Sequence, residues 1–221
     1  MTLRRLLASW IVMGGLVSLP IMVSACNSSS SAPEVSDSAA MPMGDEPMAD
    51  HSMMMDLGPS DEEFDLRFID GMILHHQGAV VMAESALQNS QRDEVKQLAG
   101  EIIAAQQVEI DRMQQWRQTW YPNASEEPVM YHATMGHSMA MTPDMQATMM
   151  MSGDLGTADD EFDLRFINGM IPHHEGALAM AQDALEKSSR PDVQQLAQDI
   201  LSTQQVEIDQ MEQWRKDWYG Q

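Results

Sequence analysis

One segment of this chain occurs twice. Residues 56–121 and 154–219 align without a gap at an offset of 98 and agree at 41 of 66 positions. A duplication constrains the fold before any residue is interpreted, because whatever the first copy forms the second must form too. Each copy opens on Phe-Asp-Leu-Arg-Phe-Ile-x-Gly-Met-Ile-x-His-His, at 64–76 and at 162–174.

In the first copy Phe64, Phe68, Met72, His75, Ala79, Met82 and Ala86 recur every three or four residues, the spacing of one helical face. A capping box, Ser60 with Glu63, is expected to start this helix, which runs to 87–89. A short turn leads to a second helix over 93–120, with Val95, Leu98, Ile102, Ala105, Glu109, Met113, Trp116 and Trp120 on its stripe. So short a turn allows only an antiparallel neighbour. The second copy repeats the plan over 159–185, with Thr157 in the place of Ser60. Its last helix opens at Pro191, with Val193, Leu196, Ile200, Thr203, Glu207, Met211, Trp214 and Trp218 facing inward. Pro172 stands inside the third helix where the first copy has Leu74, and predicts a bend there alone. Gly71 and Gly78 recur as Gly169 and Gly176, which predicts a close approach of another helix. Two hairpins with one apolar face each must bury those faces together, so the expected fold is an all-α four-helix bundle with a long crossover. The expected divisions are a leader at 1–25, a spacer at 26–59, hairpins at 60–121 and 157–221, and a crossover at 122–156, where disorder is expected.

The net charge of -22 excludes attraction to nucleic acid or anionic lipid through basic surface. Arg4 and Arg5 precede an apolar run at 6–19, and Val23-Ser24-Ala25-Cys26 then resembles a bacterial lipobox. The leader predicts export to the periplasm or cell envelope, with Cys26 acylated as a lipid anchor; secretion and an uncleaved anchor are the alternatives. Cys26 is the only cysteine, so there is no intrachain disulfide and no cysteine-built metal site.

Sulfur is instead supplied by methionine. Residues 41–55 hold six methionines, more than a soluble spacer needs. The crossover alternates thioethers and imidazoles. Such donors suit Cu(I) and Ag(I), and suit Mg(II) or Ca(II) badly. Outside the cytoplasm a free thiol oxidises, which favours them further. The candidate ligands are His51, Met53, Met54 and Met55 before the first copy, and His132, Met135, His137, Met139 and Met141 in the crossover. Within the copies they are Met72, His75 and His76, then Met170, His173 and His174. Histidines on an apolar stripe can equally be core groups. Glu109 and Glu207, with Met113 and Met211, are alternative ligands or partners that orient an imidazole. The carboxylates need a cationic or hydrogen-bonding partner, a histidine of the pair or Arg67 and Arg165.

The motif at 64–76, with Leu-Ala-x-x-Ile at 98–102 and Gln-Gln-x-Glu-Ile-x-x-Met-x-x-Trp at 106–116, resembles the family called domain of unknown function 305. The second copy matches at 162–174, 196–200 and 204–214. The resemblance implies a ferritin-like helical bundle. It also implies kinship with Met- and His-rich periplasmic copper-binding proteins, whose partners are copper ions and a copper exporter or another periplasmic copper protein. The functional expectation is a non-enzymatic Cu(I) and Ag(I) protein for buffering, storage or transfer. The rivals are a helical interaction or oxidative-stress module, and a ferritin-like redox enzyme. No Glu-x-x-His occurs, which counts against the last.

Overall fold

The computed structural model describes residues 55–221. The leader, Cys26, His51, Met53 and Met54 lie outside the described residues. The elements are α1 (Phe64–Asn89), α2 (Asp93–Trp120), β1 (Val129–His132), β2 (His137–Ala140), α3 (Pro143–Met150), α4 (Phe162–Lys187) and α5 (Pro191–Tyr219). Helices α1 and α2 form one hairpin, α4 and α5 the other, and α1 packs on α4 between them.

The two copies interleave. Phe64, Phe68 and Met72 at the start of α1 pack with Ala177, Met180 and Ala184 at the end of α4 and with Val193 and Leu196 of α5. Phe162, Phe166 and Met170 at the start of α4 pack with Ala79, Met82 and Ala86 at the end of α1 and with Leu98 of α2. The central helices therefore run antiparallel, and each apolar cluster draws on both copies. Neither hairpin could bury these side chains alone.

The expected caps are not used. The residues before α1 and α4 are Glu63 and Glu161, and neither makes a side-chain capping bond. Ser60 instead donates its hydroxyl proton to the Lys187 carbonyl at 2.6 Å, tying one copy to the other. Thr157 contributes only its carbonyl, which accepts from Arg165 Nη2 at 2.8 Å. The backbone turns are held by Asp61 and Asp159, whose carboxylates accept from the amides of Glu63 and Glu161 at 3.0 Å. Helix α4 continues through Pro172. The stripes of α2 and α5 also drift: Thr203 is exposed and Ala105 half-buried, while Gln106 and Gln204 are buried. From Ile102 and Ile200 the buried face advances by four residues to Gln106 and Gln204 and by four again to Ile110 and Ile208, where the expected stripe took a step of three.

The crossover is folded rather than disordered. Strands β1 and β2 pair antiparallel with His132 opposite His137 and Met130 opposite Met139. Thr142 caps α3 through the Met145 amide at 3.3 Å. Met141 and Met149 enter the apolar cluster beside Phe64. Two repeat-one side chains seat this segment. Buried Arg67 donates to the carbonyls of Leu57 at 2.6 Å and Pro59 at 2.8 Å and to Ser138 Oγ at 2.9 Å. Asp70, paired with Arg117, accepts from the Val129 amide at 2.9 Å. Burial raises the Asp70 carboxyl above the usual carboxylate range, against the opposing pull of Arg117.

The tryptophans close the bundle, one pair at each end: Trp116 and Trp120 pack against the cluster at the start of α1, Trp214 and Trp218 against the cluster at the start of α4. Trp116 stacks on Trp120, with ring centroids 4.9 Å apart, and Trp214 stacks on Trp218 at 5.0 Å. Arg190 lies over Trp120 at 4.2 Å and Arg92 over Trp218 at 4.1 Å, so each copy's arginine caps the other copy's stack.

A Cβ on Gly78 would overlap the Met150 carbonyl at the end of α3. Nothing lies within 4 Å of one on Gly100. Gly78→Ala is therefore expected to destabilise by about 1–3 kcal/mol or more, and Gly100→Ala to stabilise by about 0.4–1 kcal/mol. Urea unfolding followed by far-UV circular dichroism measures both; equal effects would contradict the close approach.

Candidate metal centre

His75, His76, His173 and His174 are all fully buried. Along α1 the pair stands between Met72 of one apolar cluster and Ala79 of the other, and along α4 between Met170 and Ala177. The four imidazoles thus form a polar layer separating the two clusters. Helical periodicity on an apolar stripe brings His75 and His173 inward, and antiparallel packing sets them face to face, with centroids 3.8 Å apart and planes 43° apart.

The outer pair is satisfied on one side. His76 Nε2 lies 2.7 Å from Glu109 Oε2, and His174 Nε2 lies 2.7 Å from Glu207 Oε2. An ionised carboxylate only accepts, so Nε2 carries a proton in each pair. His173 Nε2 donates to the Met150 carbonyl at 3.1 Å. His75 has no partner on either nitrogen, and Nδ1 of the other three is also unpartnered. Each such buried orphan costs about 1–3 kcal/mol. Four histidines with free nitrogens in one layer are costly as plain core and suited to a bound ligand.

Electrostatics point the same way. Burial first, then the neighbouring imidazoles, hold His75 well below the usual histidine range. The same causes hold His173 down to about 3. Both rings are neutral at neutral pH, so neither needs to lose a proton before donating its lone pair.

Beside this layer is a niche over Gly176. A Cβ there would lie 3.0 Å from His75 Nε2, 3.1 Å from Met55 Cε and 3.7 Å from Met151 Sδ. Met151 also lines a surface cavity of about 510 Å³ with Met82, Leu155, Gly169 and Pro172. Among the described residues, no group of three or more His, Cys, Asp and Glu is placed to hold a metal ion.

The expected ligands divide by place. The histidine pairs and Met55 meet at the α1–α4 layer. Met72, Met113, Met170 and Met211 are fully buried in the apolar clusters, and Met141 fills core rather than standing free in a spacer. His132 and His137 face each other at the hairpin end, with Met135 exposed in the turn and Met139 two strand pairs away. Glu109 and Glu207 bond His76 and His174, while Arg67 and Arg165 turn to backbone carbonyls instead. Met151 and Gly176, which the sequence reading did not place here, lie beside His75. The signals were the methionine run at 149–151 and the glycine that recurs in both copies.

The model for the family described as domain of unknown function (DUF305) matches residues 22–117 and 65–215. The chain belongs to the DUF305 family. Solved structures of the protein CopM are similar over 70% of this chain and 97% of theirs. The Cu(I)-bound form is 36% identical with a TM-score of 0.54, and the Ag-bound form obtained by soaking is 35% identical with a TM-score of 0.55. A DUF305 fragment from Deinococcus radiodurans is 29% identical, covering 70% of this chain and 95% of that one, with a TM-score of 0.54. Uncharacterized protein L153 of Acanthamoeba polyphaga mimivirus is 43% identical over 49 residues, 22% of this chain; the match spans 32% of that protein. The helical bundle is thus the family's fold. Among the described residues, no helix is long and apolar enough to cross a membrane.

A pH dependence follows from the buried rings. His173 titrates near 3 in the fold and near the ordinary 6.5 when unfolded, so the unfolded chain binds more protons between those values. Stability of the metal-free protein should fall on acidification through that window, each such histidine adding up to about 1.4 kcal/mol per pH unit. His173→Leu should flatten the slope of unfolding free energy against pH between 4 and 6.5. An unchanged slope would contradict the burial argument.

Proposed function

We propose that this protein binds Cu(I), with Ag(I) as an analogue, through thioether and imidazole donors. It acts as a carrier for buffering, storage or transfer rather than as an enzyme. The observation that carries the reading is the buried layer of imidazoles with unpartnered nitrogens, His75 bare on both sides. Nearby sulfur favours a soft ion over a hard one, and among the described residues no group of three or more His, Cys, Asp and Glu is placed to hold a metal ion. The similarity to copper- and silver-bound CopM supports the same ions. The hairpin end, with His132, Met135 and His137, provides an exposed and weaker capture point, and the methionines of 41–55 add to it. His51, Met53 and Met54 belong to that arm.

The leader places this activity in the periplasm or cell envelope, with Cys26 as a lipid anchor. The fitting partner is a copper exporter or another periplasmic copper protein. An acidic surface concentrates cations without selecting among them, so selectivity rests on sulfur and nitrogen.

Anaerobic titration against a chromophoric Cu(I) chelator tests the reading. The full chain should compete at micromolar copper, and the double variant His75→Leu, His173→Leu should lose its tightest equivalent while keeping the weaker ones. Failure of the folded wild-type chain to compete would contradict it.

A further inference from the structure

The duplication extends beyond the helical hairpins. Pro-x5-Met-Met-Met occurs at 47–55 and again at 143–151, each time just ahead of one copy. The later occurrence is helix α3, with Pro143 in its first turn and Thr142 as its cap. This helix does not cover the copy that it precedes. It packs on α1 of the first copy. There Met149 is buried, and its Cε lies 3.7 Å from the position of a Cβ on Gly71, beside Met180 and Leu57.

The second copy builds the same seat. Gly169 is the counterpart of Gly71, and a Cβ on it would lie 3.4 Å from Leu155 and 3.7 Å from Met82, the counterparts of Leu57 and Met180. Among the described residues, no third side chain comes within 4 Å. In the place of Met149 is the cavity of about 510 Å³ walled by Met82, Leu155, Gly169 and Pro172. That is far more than the roughly 30 Å³ a water takes in the liquid.

We infer that residues 47–54 form a second helix like α3 and dock in this groove on α4, with Met53 in the seat that Met149 fills on α1. The two copies interleave throughout, the start of each central helix packing with the end of the other. A segment that precedes the second copy covers the first, so the segment that precedes the first covers the second. The chain reaches. Met55 Cε lies 3.1 Å from the position of a Cβ on Gly176, which stands about 10 Å along α4 from Gly169 at 1.5 Å per residue. Eight helical residues span about 12 Å. Pro47 takes the first-turn position of Pro143, where no amide donor is needed. Ala49 and Met53 share one helical face, as Met145 and Met149 do against the first cluster. A helix this short is unstable in water by itself, so the groove must supply its order. The inference does not depend on the copper reading.

Hydrogen–deuterium exchange of the full chain, with no metal added, tests it. Amides of residues 48–54 should exchange at least about tenfold more slowly than in a synthetic peptide of the same sequence. Met53→Asp should return them to the peptide rate. Gly169→Leu, which fills the groove and leaves the arm unchanged, should do the same. Met135→Asp, in the exposed hairpin turn, is the control that keeps the protection. Circular dichroism confirms that each variant folds. If Gly169→Leu is unstable, a nuclear Overhauser contact between the Met53 and Met82 methyls in ¹³C-methionine-labelled wild type locates the arm. Peptide-like exchange of 48–54 in the wild-type chain would overturn the inference. So would protection that survives a folded Gly169→Leu, or the lack of the Met53–Met82 contact. Protection that vanishes on dilution would assign the groove to the arm of a second copy and overturn it as well.

Discussion

The structure depends on burying four imidazoles where α1 meets α4. Two apolar clusters would form a continuous core if that layer were aliphatic. Instead they are divided by groups that must find partners or remain costly. Glu109 and Glu207 reach in from α2 and α5 to satisfy one nitrogen each of His76 and His174. This leaves the inner pair, His75 and His173, pressed together and neutral. Helix packing and proton affinity thus meet in one layer, and a change in either is felt in the other.

Asymmetry grows from two repeat-one side chains. The arginine at 67 is fully buried under residues 57–59 and the β1–β2 hairpin, while its counterpart Arg165 is partly exposed and bonds only its own entry loop. Asp70 anchors the start of β1, where the second copy has Asn168, which is exposed. The crossover is thereby held against α1. Its last helical turn then falls on Gly78, and the chain leaves over the α4 side. A one-atom difference between aspartate and asparagine, and the neighbouring contacts, turn an internally symmetric bundle into one with two distinct faces.

Much of the bundle was legible in the sequence because helical periodicity and duplication are strong local signals. The stripe of α1 is buried throughout, and Pro191 opens its helix as its chemistry requires. The caps misled because Ser60 finds a better acceptor 127 residues away, at Lys187, which no local motif reveals. Crossover order was hidden for a similar reason: its few apolar residues, Met141 and Met149, gain stability only against a core formed by distant helices. For the site, the histidine pairs and their glutamate partners were readable from spacing. Met151 was not, because its place beside His75 depends on a tertiary docking and an unusual backbone angle. Met72 and Met170 looked like ligands by proximity in sequence, yet each fills its own apolar cluster.

Anomalous diffraction from crystals of the silver-loaded full chain tests the account most directly, because it locates the ion without assuming its ligands. The account predicts a strong peak beside His75 in the layer between α1 and α4. Peaks confined to the hairpin at His132 and His137 or to methionines outside the bundle, with the histidine layer empty, would contradict it.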